Sequence, residues 1–166
     1  EPLAPPLVPA ARPTTPELYA GINFMRRPLG NREELVAGKA VQMILPSPLT
    51  DDAINLEGLW IGHAEYAESQ SEARIVVPYI GQAIYAVLDS PRGAQEVEIL
   101  YDGLPLSDAV RGEDAQDRDG RGIMVVDTPR MYAPIAHKAP YGRHTLTLRV
   151  PPGIRLSAIT FGAYDS

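Results

Sequence analysis

Residues 143–150, RHTLTLRV, alternate without a break: Leu146, Leu148 and Val150 fall on one side, and Thr145, Thr147 and Arg149 on the other. A period of two is the pattern of a β-strand with one face in a core and one in water. Prolines and a glycine follow at once (Pro151-Pro152-Gly153), which predicts a sharp reversal. Upstream, residues 96–101 (EVEILY) repeat the pattern with Val97, Ile99 and Tyr101 on one side, and Asp102-Gly103 supplies a tight turn. Working outward, short β-rich runs are expected at 40–45, 58–67, 73–79, 82–89, 96–101, 122–127, 130–136, 143–150 and 154–162. The runs between 73 and 89 are apolar on both sides and should be central, with Pro78 marking a bulge or an edge. No segment leaves room for crossover helices, so a parallel βαβ fold is excluded. The fold class expected is all-β: an antiparallel β-sandwich or jelly roll over residues 39–166.

The N-terminal part reads differently. Residues 1–16, EPLAPPLVPAARPTTP, hold six prolines. Proline fixes φ and donates no backbone hydrogen bond, so an extended proline-rich arm precedes the sandwich. Leu3, Leu7 and Val8 give that arm apolar side chains suited to lying along a partner. Residues 17–38 form a transitional segment, in which Asn31 can cap a short helical turn with Glu34 at its third position and Gly38 can end it.

Composition narrows the function. The chain of 166 residues has a net charge of -6, which disfavours binding to phosphate backbones, so no nucleic-acid partner is expected. Arg26-Arg27 is the only basic doublet and reads as a solvated turn. Cysteine is absent, which removes disulfides, thiolate metal sites and cysteine nucleophiles. No apolar run of about 18 residues is present, so the chain has no transmembrane helix of its own. It begins at Glu1 without an initiator Met, which reads as a mature, exported product freed of a targeting segment.

Candidate chemistry is sparse. Glu113, Asp114, Asp117 and Asp119 place four carboxylates within seven residues before Gly120, a loop that suits a hard cation such as calcium. The spacing is not that of an EF-hand, and Arg118 and Arg121 neutralise part of the charge, so a solvated turn is the plainer reading. His63, His137 and His144 lack the spacing of a metal pair, and no G-x-S-x-G motif occurs. Trp60, Tyr66, Tyr79, Tyr85, Tyr101 and Tyr132 lie on or beside expected strands. Of these, Trp60, Tyr66, Tyr85 and Tyr132 are the candidates for stacking on a sugar ring or anchoring a protein interface, with the core as the competing destination.

Several segments, in order, resemble the C-terminal domain attached to thioredoxin-like proteins of the DipZ and TlpA type. These are Thr15-Pro16-Glu17-Leu18-Tyr19-Ala20-Gly21, Leu56-Glu57-Gly58-Leu59-Trp60, the apolar run 83–88, and Val97 through Asp102-Gly103-Leu104-Pro105. Gly112-Glu113-Asp114, Arg130-Met131-Tyr132, and Pro152-Gly153-Ile154 with Ala158 through Gly162 complete the series. The resemblance covers roughly residues 15–162. It implies a carbohydrate-binding-module-like sandwich in the periplasm or cell envelope. It implies no catalysis by this domain, because the family's redox cysteines lie in a preceding thioredoxin domain. The function expected is therefore a non-catalytic accessory module that docks by its sandwich and arm onto an envelope protein complex, with glycan binding as the alternative.

Overall fold

The alternating stretch becomes β12 (Gly142–Val150) in the computed structural model, which describes residues 12–163. β12 pairs along its whole length with β5 (Ala73–Gly81), setting Leu146 opposite Val77 and Leu148 opposite Ile75, all four fully buried. On its other side it pairs with β7 (Gln95–Tyr101), where Leu148 faces Ile99. β10 (Arg121–Val126) and then β9 (Ala115–Arg118) extend this layer, and β8 (Leu104–Pro105) adds to the end of β7.

The second layer is built on β13 (Arg155–Gly162), which pairs with β6 (Ala83–Asp89) on one edge. On the other edge it pairs with β1 (Leu18–Tyr19) and β4 (Ala67–Ser69). β11 (Arg130–Ile135) lies outside β6, and β2 (Ala40–Met43) outside β3 (Asn55–Gly62). Every ladder between named strands is antiparallel, and no helix occurs among the described residues. The all-β antiparallel expectation is met.

One strand belongs to both layers. Residues 55–57 of β3 pair with β5, and residues 58–61 pair with β2. The change occurs at Gly58, whose φ of 105° is left-handed and whose added Cβ would sit 2.9 Å from the Ala73 Cβ. Only glycine combines that conformation with that closeness. On the far side, the segment before β9 is stitched to β11: Gly112 N–H donates to Pro134 O at 2.9 Å and Ala136 N–H to Val110 O at 2.9 Å. The two layers thus form one antiparallel sheet nearly closed into a barrel around Trp60, Tyr79 and Tyr132, the largest fully buried side chains.

Four local expectations change. The run 58–67 is two strands, β3 and β4, because His63 N–H and Tyr66 O close a turn at 2.9 Å. The acidic loop contains β9, which lies between a turn at Glu113 and Asp114 and a second at Asp119 and Gly120, the latter two both at positive φ. Asn31 caps no helix. Its amide donates to Ile44 O (2.8 Å) and Leu56 O (2.7 Å), and its Oδ1 accepts from Leu56 N–H (2.8 Å), so it ties the transitional segment to the β2–β3 edge. Thr15, inside the expected arm of residues 1–16, is 2% exposed and extends the β5 edge: its N–H donates to Ile80 O, and its hydroxyl accepts from Ile80 N–H. Pro78 falls where β3 no longer pairs with β5, so its missing N–H interrupts no ladder between those strands.

Candidate functional site

Trp60 and Tyr132 leave the set of candidate ligand-stacking rings. Both are fully buried, because the residues that alternate with Leu59 and Ile61 on β3, and with Met131 on β11, face the core. Their polar tips are satisfied inside: Trp60 Nε1 donates to Glu57 O at 3.0 Å, and the Tyr132 hydroxyl donates to Thr128 O at 2.7 Å. Arg130 lies 3.8 Å over the Tyr132 ring. Tyr66 and Tyr85 remain half-buried at the surface. Tyr85 lies on β6 opposite Thr160 of β13. Tyr66 is flanked by the Arg155 guanidinium at 4.4 Å and by the His63 ring at 4.6 Å. None of the four rings stacks on another among the described residues. Leu3, Leu7 and Val8 lie outside the described residues.

The four candidate metal-ligating carboxylates are not brought together. Asp114 accepts from Arg130 NH2 at 2.8 Å and from Ala133 N–H at 2.7 Å. Burial alone would raise its carboxyl; the guanidinium and the backbone N–H outweigh it and hold the group below the usual carboxylate range. Asp117 Oδ1 accepts from Gly120 N–H at 3.0 Å, Asp119 lies in the turn, and Glu113 is exposed. Among the described residues, no group of three or more acidic or histidine side chains is placed to hold a metal ion.

Two other clusters bear on chemistry. His144 sits between Asp102 Oδ2 (2.8 Å from Nδ1) and Pro140 O (2.9 Å from Nε2), so both ring nitrogens are engaged. Tyr101 stacks on that ring at 4.8 Å. Burial and the Asp102 carboxylate push the Tyr101 phenol up to about 12. Burial likewise drives the Tyr79 phenol well above its ordinary value. On the outer face of the β12 layer, two arginines stand in register between two glutamates: Glu57, Arg74, Arg149 and Glu98 follow one another across β3, β5, β12 and β7. Arg74 Nε donates to Glu57 Oε1 at 2.7 Å, and Arg121 Nε to Glu98 Oε2 at 3.0 Å. These side chains mainly satisfy one another.

The surface feature that strand periodicity misses is in the transitional segment. Ile22, Met25, Pro28, Leu29 and Leu35 floor a groove of about 250 Å³, rimmed by Arg32, Glu33 and Glu34. Gly62, whose Cβ would lie 2.7 Å from Ile22 Cδ1 and 2.9 Å from Leu35 Cβ, lets both side chains pack down on β3. Ile22 N–H donates to His63 O, Gly30 N–H to Ile54 O, and the Thr50 hydroxyl to Gly30 O, which fixes the two walls to the sandwich. Phe24 and Val36, next in sequence to Met25 and Leu35 of the groove, are 52% and 45% exposed, and Ile44, whose N–H donates to Glu33 Oε1, is 63% exposed. The available signal was apolar residues without a period of two, gathered around Pro28 and Gly30-Asn31.

No curated protein matches the chain. The family comparison does find a match, to the model for the thioredoxin-like C-terminal domain over residues 15–162, an interval that runs from the Thr15 anchor on β5 to the end of β13. With that stretch matched and the all-β fold in place, the chain belongs to the thioredoxin-like C-terminal domain family.

Proposed function

We infer that this domain is a non-catalytic accessory module that docks onto a protein complex of the periplasm or cell envelope. The observation that carries this reading is the groove between residues 22 and 35 with its three exposed neighbours, Phe24, Val36 and Ile44. Large apolar side chains gathered at one place on a domain surface mark a contact site more often than chance exposure does. The arm, with Leu3, Leu7 and Val8, supplies a second contact in this reading. A non-catalytic role is in keeping with the His144–Asp102 pair, whose second ring nitrogen faces the Pro140 backbone carbonyl rather than a nucleophile.

The test is site-specific photo-crosslinking in intact envelopes. A crosslinker at Phe24, Val36 or Ile44 is expected to give one discrete adduct, and one at Glu72 on the charged outer face is expected to give none. The Phe24→Asp and Ile44→Asp pair should abolish the adduct while leaving the melt of the free domain unchanged. Equal labelling from both faces would end this reading.

Glycan binding has one observation in its favour. Asp89, Arg155 and Glu68 stand in register across β6, β13 and β4 beside Tyr66, next to a cleft of about 220 Å³ that also includes Pro129 and Ser157. A ring with carboxylate and guanidinium neighbours suits a polyhydroxylated ligand. Titration with envelope polysaccharides, read by heat and by tyrosine emission and compared with Tyr66→Ala, decides it.

A further inference from the structure

Asp52 stands at a junction of three elements. Its carboxylate accepts from the Thr15 hydroxyl at 2.6 Å and from Arg143 NH2 of β12 at 3.4 Å. Its backbone carbonyl accepts from Arg27 NH1 at 3.2 Å, one residue before Pro28 in the groove floor. Its N–H donates to Pro78 O at 2.8 Å, and its φ of 55° is left-handed. Aspartate tolerates that conformation better than most residues, but a side chain held there is held by its surroundings.

The turn around it is equally fixed. The buried Asn55 amide donates to Thr50 O (3.0 Å), Ala53 O (3.2 Å) and Val76 O (3.2 Å), and its Oδ1 accepts from Thr50 N–H (3.1 Å). The same turn carries the groove wall, because Thr50 and Ile54 bond Gly30 through its O and N–H respectively. It also carries the arm root, because Thr15 is bonded to Asp52; two residues earlier, the Pro13 carbonyl accepts from Tyr141 OH at 2.7 Å. A single braced turn therefore touches the arm root on one side and the groove on the other.

We propose that the turn of residues 50–55, with Asp52 as its positioning residue, couples the N-terminal arm root to the groove, so that ordering either end orders the other. This rests on the groove being the docking site, but the coupling itself is a property of the free chain. Coupling of this kind is reciprocal: whatever occupies the groove tightens the arm root by the same factor by which an anchored root favours occupancy. Engagement of the arm by a partner would then prepare the groove for a second contact.

Amide exchange followed by NMR on the full chain reads it without any partner. Thr15 N–H, bonded to Ile80 O, reports the root; Gly30 N–H, bonded to Ile54 O, reports the groove wall. Leu148, in the buried middle of β12, reports global opening. Thr15→Val should speed Gly30 exchange about three-fold or more through an opening that depends on urea less steeply than that of Leu148, and Arg27→Ala should speed Thr15 exchange similarly with Leu148 unchanged. Asp52→Gly keeps the left-handed backbone and its carbonyl but removes the carboxylate; in that background Thr15→Val should no longer affect Gly30. The proposal is overturned if each substitution disturbs only its own end, or if Thr15→Val still reaches Gly30 without the Asp52 carboxylate. Arg27 is exposed and its replacement keeps the fold, so that arm of the test stands even if Thr15→Val unfolds the domain.

Discussion

The Asp114 carboxylate meets the Ala133 amide at 2.7 Å, across the seam where the segment before β9 lies against β11. The same carboxylate holds Arg130, whose guanidinium covers Tyr132. A side chain that looked like a metal ligand is therefore part of the closure of the sheet. Asp114→Ala should lower stability by about 1–3 kcal/mol, since it leaves a partly buried N–H and a guanidinium without their acceptor. Glu113→Ala, on an exposed neighbour, should change nothing measurable. Urea unfolding of the two variants checks this. In the same experiment millimolar calcium is expected to leave the wild-type midpoint in place; a midpoint that rose with calcium and ceased to do so in Asp117→Asn would restore the metal reading.

Stability should respond to pH at both ends. Arg74 holds Glu57, and Arg121 holds Glu98, below the usual carboxylate range; for Glu68, burial opposes the shift and Arg155 outweighs it. A carboxyl depressed in the folded state adds stability above its unfolded value of about 4.3, and that contribution is lost as pH falls through the folded value. The unfolding free energy should therefore be flat between about pH 5 and 8 and fall below about pH 4. Glu98→Gln should make that fall shallower, Glu98 being only 14% exposed. The phenols work the other way. Tyr101, raised to about 12 by burial and by Asp102, favours folding below its unfolded value near 10, and that contribution is lost as pH rises toward the folded value. Absorbance titration should find Tyr101 and Tyr79 ionising late, together with unfolding; early ionisation of all the tyrosines would refute it.

Gly58 is the corner on which β3 passes from one layer to the other, and Trp60 is the first fully buried side chain after it. Gly58→Ala meets both a left-handed φ and the Ala73 Cβ, so a cost of about 1–3 kcal/mol is expected. Gly38→Ala, also at positive φ but with open space around its Cβ, should cost less. Trp60→Ala should cost about 3–5 kcal/mol, because a fully buried indole is lost along with its bond to Glu57 O. Thermal and urea melts rank the three. If Trp60→Ala melted like wild type, its burial in the core would be wrong.

What was legible in the sequence follows the physics that wrote it. Residues 143–150 and 96–101 each have one wet face, so their alternation survives in the residue order, and both strands lie where expected. β9 hides in an acidic stretch because an edge strand with Gln116, Asp117 and Arg118 outward has no apolar side to reveal. The break at 63–66 was missed because His63 through Tyr66 contains neither glycine nor proline, and its turn is made by backbone bonds alone. Asn31 read as a helix cap because its side chain does seek backbone groups; the partners are simply 13 and 25 residues away, which no local pattern reports. The rings sorted by strand parity once the strand bounds were right: Trp60 and Tyr132 inward, Tyr85 outward. The groove escaped because irregular segments carry no period to read.

The arm divides at a definite place, and deletion can show it. Every described contact of the N-terminal stretch begins at Arg12, which lies 4.9 Å over the Tyr141 ring, and the strongest belong to Thr15. Removing residues 1–11 spares all of these and should leave the melting temperature unchanged while weakening the docking proposed for the arm. Removing residues 1–16 also deletes Thr15, leaves the Ile80 N–H and C=O without their partner and the Asp52 carboxylate with Arg143 alone, and should cost about 1–3 kcal/mol. Thr15→Val in the full chain should reproduce much of that loss, because valine keeps the bulk and removes only the hydroxyl. If both truncations melt alike, Thr15 contributes nothing to the sandwich. If the shorter truncation already lowers the melt, the body extends into residues 1–11, and the loss of attachment would then reflect a damaged fold rather than a missing contact.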